Sequence, residues 1–262
     1  MRALHTAATG MRAQEVNVQV ISNNIANMRT TGYKRQRAEF QDLLYEHVRR
    51  VGTQASTQGN ILPVGIDLGG GVKTVGTPRL MMQGTISQVG GELNLAIRGE
   101  GFFKILMPDG SFGYTRDGSF QMDAQGRIVT SNGNVVQPAI AIPGNAQAIA
   151  INPQGQVSAT LPGQTTPTVM GQIQLTRFVN KAGLQAIGDN LFVETPASGP
   201  PQDGLATANG YGDIHQGGLE QANVEAVTEI SDLIAAQRAY EMNAKVITAA
   251  DQMLTATSSL MR

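Results

Sequence analysis

Side chains able to do chemistry are few and scattered along this chain. The three histidines, His5, His47 and His215, lie in three separate regions, and none has the H-E-x-x-H spacing that turns two rings toward one zinc ion. Asp117 and Asp123 have the residue type for a glycosidase acid pair, but both stand in turn-forming sequence, where backbone geometry alone favours Asp. Gly99 and Gly101 begin a dinucleotide fingerprint that Lys104 interrupts, and Gly69-Gly70-Gly71 is not followed by Gly-Lys-Ser/Thr. There is no G-x-S-x-G elbow, and with no cysteine there is neither thiol nucleophile nor disulfide framework. No catalytic residue, cofactor or metal site, and no small-molecule substrate, is expected of such a chain.

Periodicity carries the signal instead. Leu4, Met11, Val18 and Ile25 recur every seventh residue, with Ala7, Ile21 and Met28 three places behind them and Gln14 breaking the second row. At the far end Leu233, Tyr240, Ile247, Leu254 and Met261 repeat the spacing. Residues seven apart return to nearly the same face of a helix, so each terminus carries a narrow seam that another helix must cover. The pattern predicts one helix over Arg2–Met28 and another over about Val224–Leu260, roughly 55 Å long at 1.5 Å per residue. Residues 1–50 hold eight Lys/Arg against four Asp/Glu, and residues 219–262 hold three against six, so opposite charge favours their pairing. Asn223 is placed to cap the second helix. The cluster Lys34, Arg35 and Arg37 has the ordinary pattern of a solvated face, and Phe40, Leu43, Leu44 and Tyr45 have a spacing suited to a short helix.

Between the termini the period changes. Gly52–Gly76 is rich in Gly, Thr and Gln and too poor in apolar residues for its own core, which predicts an extended loop. From Leu93 onward short apolar runs are punctuated by Asp109-Gly110, Asp117-Gly118, Gln125-Gly126 and Asn132-Gly133, the signature of successive antiparallel hairpins. Further strands are expected at Ala148–Ile151, Gln156–Thr160, Met170–Phe178 and Asn190–Thr195. Pro196 to Gly204 marks a return linker.

The fold class predicted is α+β: long paired N- and C-terminal helices in a coiled-coil-like core domain, an inserted antiparallel β-rich domain, and an extended arm. The expected divisions are 1–35 for the first helix, 36–95 for the linker and arm, 96–199 for the β domain, 200–219 for the return linker and 220–262 for the last helix. Charged residues make up 15% of the chain and the net charge is -1. The first value suits a subunit covered by neighbours, and the second gives no reason to expect nucleic acid binding. No run approaches the ~20 apolar residues of a membrane span, and no apolar stretch near the start has the form of a cleaved signal.

Several segments resemble the bacterial flagellar rod and hook proteins. Ser22-Asn23-Asn24-Ile25-Ala26-Asn27, followed by Thr31-Gly32-Tyr33-Lys34-Arg35, is similar to that family's N-terminal signature. Gln237-Arg238-Ala239-Tyr240-Glu241 is similar to its C-terminal helix motif. Gly99-Glu100-Gly101-Phe102-Phe103 and Tyr114-Thr115-Arg116-Asp117-Gly118-Ser119-Phe120 resemble the opening of its β domain. Chain length and the segment Arg35–Tyr45 point toward the members that build the distal rod. The family usually has Ser-Asn-Val where this chain has Gln221-Ala222-Asn223-Val224. The resemblance implies a structural subunit that polymerises helically around a channel in the periplasm-spanning basal body. It implies export by the flagellar type III apparatus without a cleaved signal, and as partners copies of itself, proximal rod proteins, the hook protein and the L- and P-ring proteins. The seam residues are then the expected assembly interface. A proximal rod or hook subunit, and a β-rich surface binding module, are the alternatives.

Overall fold

A computed structural model describes residues 2–52, 64–164 and 166–260. Helix α1 spans Arg2–Ala26 and helix α2 spans Ala226–Leu260, and the described chain between them is threaded with short strands. This is the predicted α+β arrangement of terminal helices around a β-rich middle. The chain divides into two compact units. One holds residues 1–25, 36–78 and 225–262, the other residues 26–35 and 79–224.

In the first unit α1 and α2 touch along their lengths, as two contacts show. Asn24 Nδ2 donates to Glu229 Oε2 at 3.1 Å, and a Cβ on Gly10 would lie 3.0 Å from the amide atoms of Asn243. Residue 10 facing 243 and residue 24 facing 229 means that the helices run in opposite directions there. The segment Phe40–Tyr45, where a short helix is expected, forms strands instead. Glu39–Asp42 pairs with Val72–Gly76, and Tyr45–Arg49 with Ile66–Gly69. Six residues cannot separate a helical period from a strand period, and the antiparallel partners supplied by 66–76 decide the matter. Those partners lie inside the stretch expected to be a loop; its central residues 53–63 are outside the described ones. Gly71 turns the chain at φ +116° against α1, where Val72 N donates to Thr9 Oγ1.

The second unit is built on a nine-stranded antiparallel sheet. At its centre Phe102–Leu106 pairs with Phe112–Thr115, Val135–Gln137 and Gln174–Arg177. Side chains alternate across a strand, so Phe103 and Ile105 enter the main core with Leu95, Ile97, Ile128, Ile173, Leu175 and Ile214. Phe102 points the other way, into a second cluster with Tyr114, Phe178, Leu184 and Phe192. Its rings meet edge to face, Tyr114 and Phe178 at 4.8 Å between centroids.

The expected strands at Ala148–Ile151 and Gln156–Thr160 are present with those bounds. The run expected over Met170–Phe178 is two strands in different sheets, Thr168–Gln172 and Gln174–Arg177, because Ile173 between them is drawn wholly into the core. Gly110, Gly126 and Gly133 take the positive φ that tight turns demand, but Asp117-Gly118 joins no hairpin. Gly118 is required there for another reason: a Cβ would lie 1.7 Å from Leu95 O. Gln202–Leu205 and Asp213–Gln216, in the stretch expected to be a return linker, are strands as well.

Candidate functional site

The N-terminal signature leaves α1 through a left-handed turn at Gly32, φ +69°. The turn lays Tyr33, Lys34 and Arg35 inside the second unit. Lys34 is therefore no part of a solvated face; it is 1% exposed. Its Nζ donates to Glu220 Oε1 at 2.5 Å and to Met82 O at 2.8 Å. Glu220, fully buried, also accepts from Gly84 N at 2.9 Å through Oε1 and from Arg116 Nη1 at 3.3 Å through Oε2. Arg116 is buried too, donates Nη2 to Gly99 O at 2.6 Å and lies 5.5 Å from the Phe102 ring centroid. One carboxylate thus holds two buried cations, and its backbone carbonyl accepts Gly32 N at 2.8 Å. Burial pulls the Lys34 ammonium below its ordinary pKa of 10.5, with Glu220 opposing that pull.

Around this knot the chain entering the second unit and the chain leaving it are tied together. Asn223 Oδ1 accepts Arg35 N at 2.7 Å, and its Nδ2 donates to Leu80 O and Met82 O. That use replaces the helix-capping role expected of Asn223. The residue immediately before α2 is Glu225, whose Oε2 accepts Thr228 Oγ1. Asn190, itself at φ +57°, donates to Thr31 O at 2.9 Å. Glu220 has no local sequence pattern that would single it out, and Arg116 has a nearer acid beside it in Asp117.

The remaining signature residues are placed as follows. Asn24 is buried in the first unit and clamps residue 36 from both sides, donating to Gln36 O and accepting from Gln36 N, each at 2.9 Å. Asn23 and Ala26 are exposed and Asn27 is half-buried; Asn27 Oδ1 accepts Thr30 Oγ1. On α2, Gln237, Arg238, Tyr240 and Glu241 are exposed and Ala239 is half-buried. Among the seam residues Ile21 is buried, Leu4, Met11, Val18 and Ile25 are half-buried, and Met28, beyond the end of α1, is exposed. Leu233 and Ile247 are half-buried, Tyr240 and Leu254 are 44% and 43% exposed, and Met261 lies outside the described residues. Small residues are buried alongside them: Ala7 and Ala13 on α1, Ala236 and Ala250 on α2. Small side chains let backbones approach and leave the long ones on the rim.

The carboxylates considered for catalysis serve turns. Asp117 Oδ1 accepts the backbone and hydroxyl of Ser119, and Asp123 binds the backbone of Gln125 and Arg127 and the Arg127 guanidinium. Among the described residues no three His, Asp or Glu side chains gather to hold a metal ion, and no helix is long and apolar enough to cross a membrane.

Tyr114 gives the second unit a pH signature. Burial first, and then the charges of Glu194 and Asp203, push its pKa from 10.0 up to about 12. A phenol kept neutral by the fold contributes stability that is fully present below 10 and is lost as pH rises through about 12. Absorbance titration is therefore expected to show one tyrosine ionising near 12 while near-ultraviolet circular dichroism collapses over the same range. Ionisation of that tyrosine near 10 with the dichroism intact would contradict it.

Two terminal helices carried by a β unit whose entrance and exit are tied by a buried charge knot define a structural subunit. Residues 4–34 match the family of flagella basal body rod proteins, residues 96–159 the flagellar hook protein FlgE/F/G D1 domain, and residues 215–260 the C-terminal domain of flagellar basal body rod FlgEFG proteins. The chain is 55% identical to the flagellar basal-body rod protein FlgG of Caulobacter vibrioides, with 99% of each chain covered. It is 49% identical to that of Agrobacterium fabrum, over 98% of each, and 34% identical to that of Bacillus subtilis, over the full length of both. The chain belongs to the flagellar basal-body rod protein family, and is a structural subunit of the bacterial flagellum.

Proposed function

We propose that this chain builds the distal part of the rod, polymerising into a hollow helical shaft that carries torque from motor to hook and surrounds the export channel. The observation that carries this reading is the surface of α2. Val227, Ile230, Ile234, Tyr240, Met242, Val246, Met253 and Leu254 are all large, apolar and exposed on one helix. Covering such side chains stabilises by roughly 1–2 kcal/mol each, and copies of the chain supply the cover. In that assembly α1 and α2 pack as a coiled-coil-like pair, with the seam residues and the exposed Gln237–Glu241 motif facing neighbouring subunits. The ribbon of Tyr45–Arg49 and Ile66–Gly69, exposed along both strands, reaches an adjacent subunit as well, since an isolated two-stranded ribbon is only marginally stable in water. Proximal rod, hook and surrounding L- and P-ring proteins are the further partners, in the periplasm-spanning part of the basal body. The chain arrives there through the type III apparatus without a cleaved signal.

Leu254→Asp tests the interface. A carboxylate at this half-exposed site is tolerated in a single chain but becomes an unpaired buried charge in the polymer. Sedimentation is expected to show no polymer, while near-ultraviolet circular dichroism of the second unit stays unchanged. Polymers of normal yield from this variant would mean that the α2 seam is not an interface.

A further inference from the structure

The run Ile128–Thr176 contains no Asp, Glu, Lys, Arg or His, and no Phe, Tyr or Trp, in a chain that is 15% charged overall. All of one sheet falls inside it. Gln156–Thr160 is paired on both sides, with Ala148–Ile151 and with Thr168–Gln172. The strand Thr168–Gln172 is bonded along one edge alone, and its other edge carries no strand among the described residues. An open edge offers unpaired N–H and C=O groups to any extended chain, and soluble proteins guard such edges with charge, above all Lys. Along this strand the pairing carries a register irregularity opposite Val157 and Ser158. Thr168, Val169, Met170, Gly171 and Gln172 bring no charge, and Val169 is 54% exposed.

The chemistry narrows what can dock there. Without Lys or Arg the surface has no grip on nucleic acid or an anionic membrane, and without aromatic rings it has no platform for a sugar. A neutral polypeptide fits. The second unit is neutral, with ten Lys/Arg against ten Asp/Glu, and Arg98–Asp213, Lys104–Asp203, Arg127–Asp123 and Lys181–Glu100 pair within the chain. The second unit of another copy therefore brings no net charge that the uncharged edge would have to match. We infer that the Thr168–Gln172 edge is a contact between copies of this chain, made through main-chain hydrogen bonds and separate from the helix seams. It rests on the reading of the chain as a polymer-forming subunit.

Val169→Lys places a desolvated charge at this edge, and Val169→Thr keeps the branched shape without one. In the full chain, Val169→Lys is expected to raise the concentration needed for polymerisation about tenfold or more, equivalent to about 1.4 kcal/mol per contact. Val169→Thr is expected to stay within about twofold of the parent, on the same scale. Near-ultraviolet circular dichroism of the unassembled protein reports whether the second unit stays folded; if Val169→Lys disturbs it, Thr168→Lys on the same edge takes its place. Polymerisation of the folded Lys variant at the parent's concentration overturns the contact. A parent chain that does not polymerise at all overturns the polymer reading and this contact with it.

Discussion

Glu220→Gln is expected to unfold the second unit under conditions in which Lys34→Met leaves it folded. Glu220 is the one carboxylate bonded to both Lys34 and Arg116, and all three side chains are at most 3% exposed. Replacing it by an amide takes away the carboxylate bonded to both buried cations and leaves only the unbonded charge of Glu100 acting on them, a loss of about 3–5 kcal/mol on the scale of broken buried pairs. A domain has only about 5–15 kcal/mol in total. Lys34→Met removes one of the two cations together with the bond to Met82 O, and leaves Glu220 and Arg116 as a neutral pair. Its effect is about 1–2 kcal/mol, the size of a lost charged hydrogen bond partly repaid by an apolar side chain of similar length. Denaturant titration followed by near-ultraviolet circular dichroism isolates this unit, because the ring cluster of Phe102, Tyr114, Phe178 and Phe192 belongs to it. Equal midpoints for the two variants would show that the count of unopposed charges is not what governs the knot.

The same knot marks the boundary of what can be read from the chain alone. Both helices are legible because a seven-residue recurrence is a repeated, long-range pattern; α2 begins within two residues of its expected start. The strands Ala148–Ile151 and Gln156–Thr160 are legible because alternation and flanking turn residues agree. Phe40–Tyr45 is too short for its spacing to choose a period, and the partners that make it strand lie some thirty residues on, in a stretch whose composition resembles a linker. Lys34 is the instructive case. Its motif is visible, and so is the left-handed Gly32, but whether a lysine faces water or a carboxylate depends on a residue 186 positions away. Asn223 is misplaced for a related reason: it has the type and position of a cap, yet a backbone N–H from Arg35 reaches its oxygen first. Local patterns specify elements, and long-range polar pairing decides which polar residues are spent inside.

Gly32→Ala is expected to destabilise the second unit far more than the same change at Gly133, although both glycines occupy left-handed backbone, at φ +69° and +81°. At Gly133 nothing lies within 4 Å of an added Cβ, so only the conformational strain remains, about 1–2 kcal/mol. At Gly32 the new carbon would sit 2.7 Å from Asp117 N, 2.8 Å from Arg116 C and 3.0 Å from Asp117 Cα. All three are backbone atoms, so no side-chain rotation relieves the clash. The Arg116–Asp117 backbone has little room to retreat, because Gly118 next to it is already packed against Leu95 O. Relief must come from the signature segment itself, which lengthens the Gly32 N to Glu220 O bond and draws Lys34 away from its carboxylate. A loss of at least 3 kcal/mol is then expected, in the range reserved for overpacking combined with a broken buried network. Denaturant midpoints of the two alanine variants, measured side by side, make the comparison independent of the backbone strain they share. A Gly32→Ala midpoint no lower than that of Gly133→Ala would mean that the signature glycine is kept for its φ angle alone, and that the close approach of Arg116 and Asp117 does not hold the knot in register.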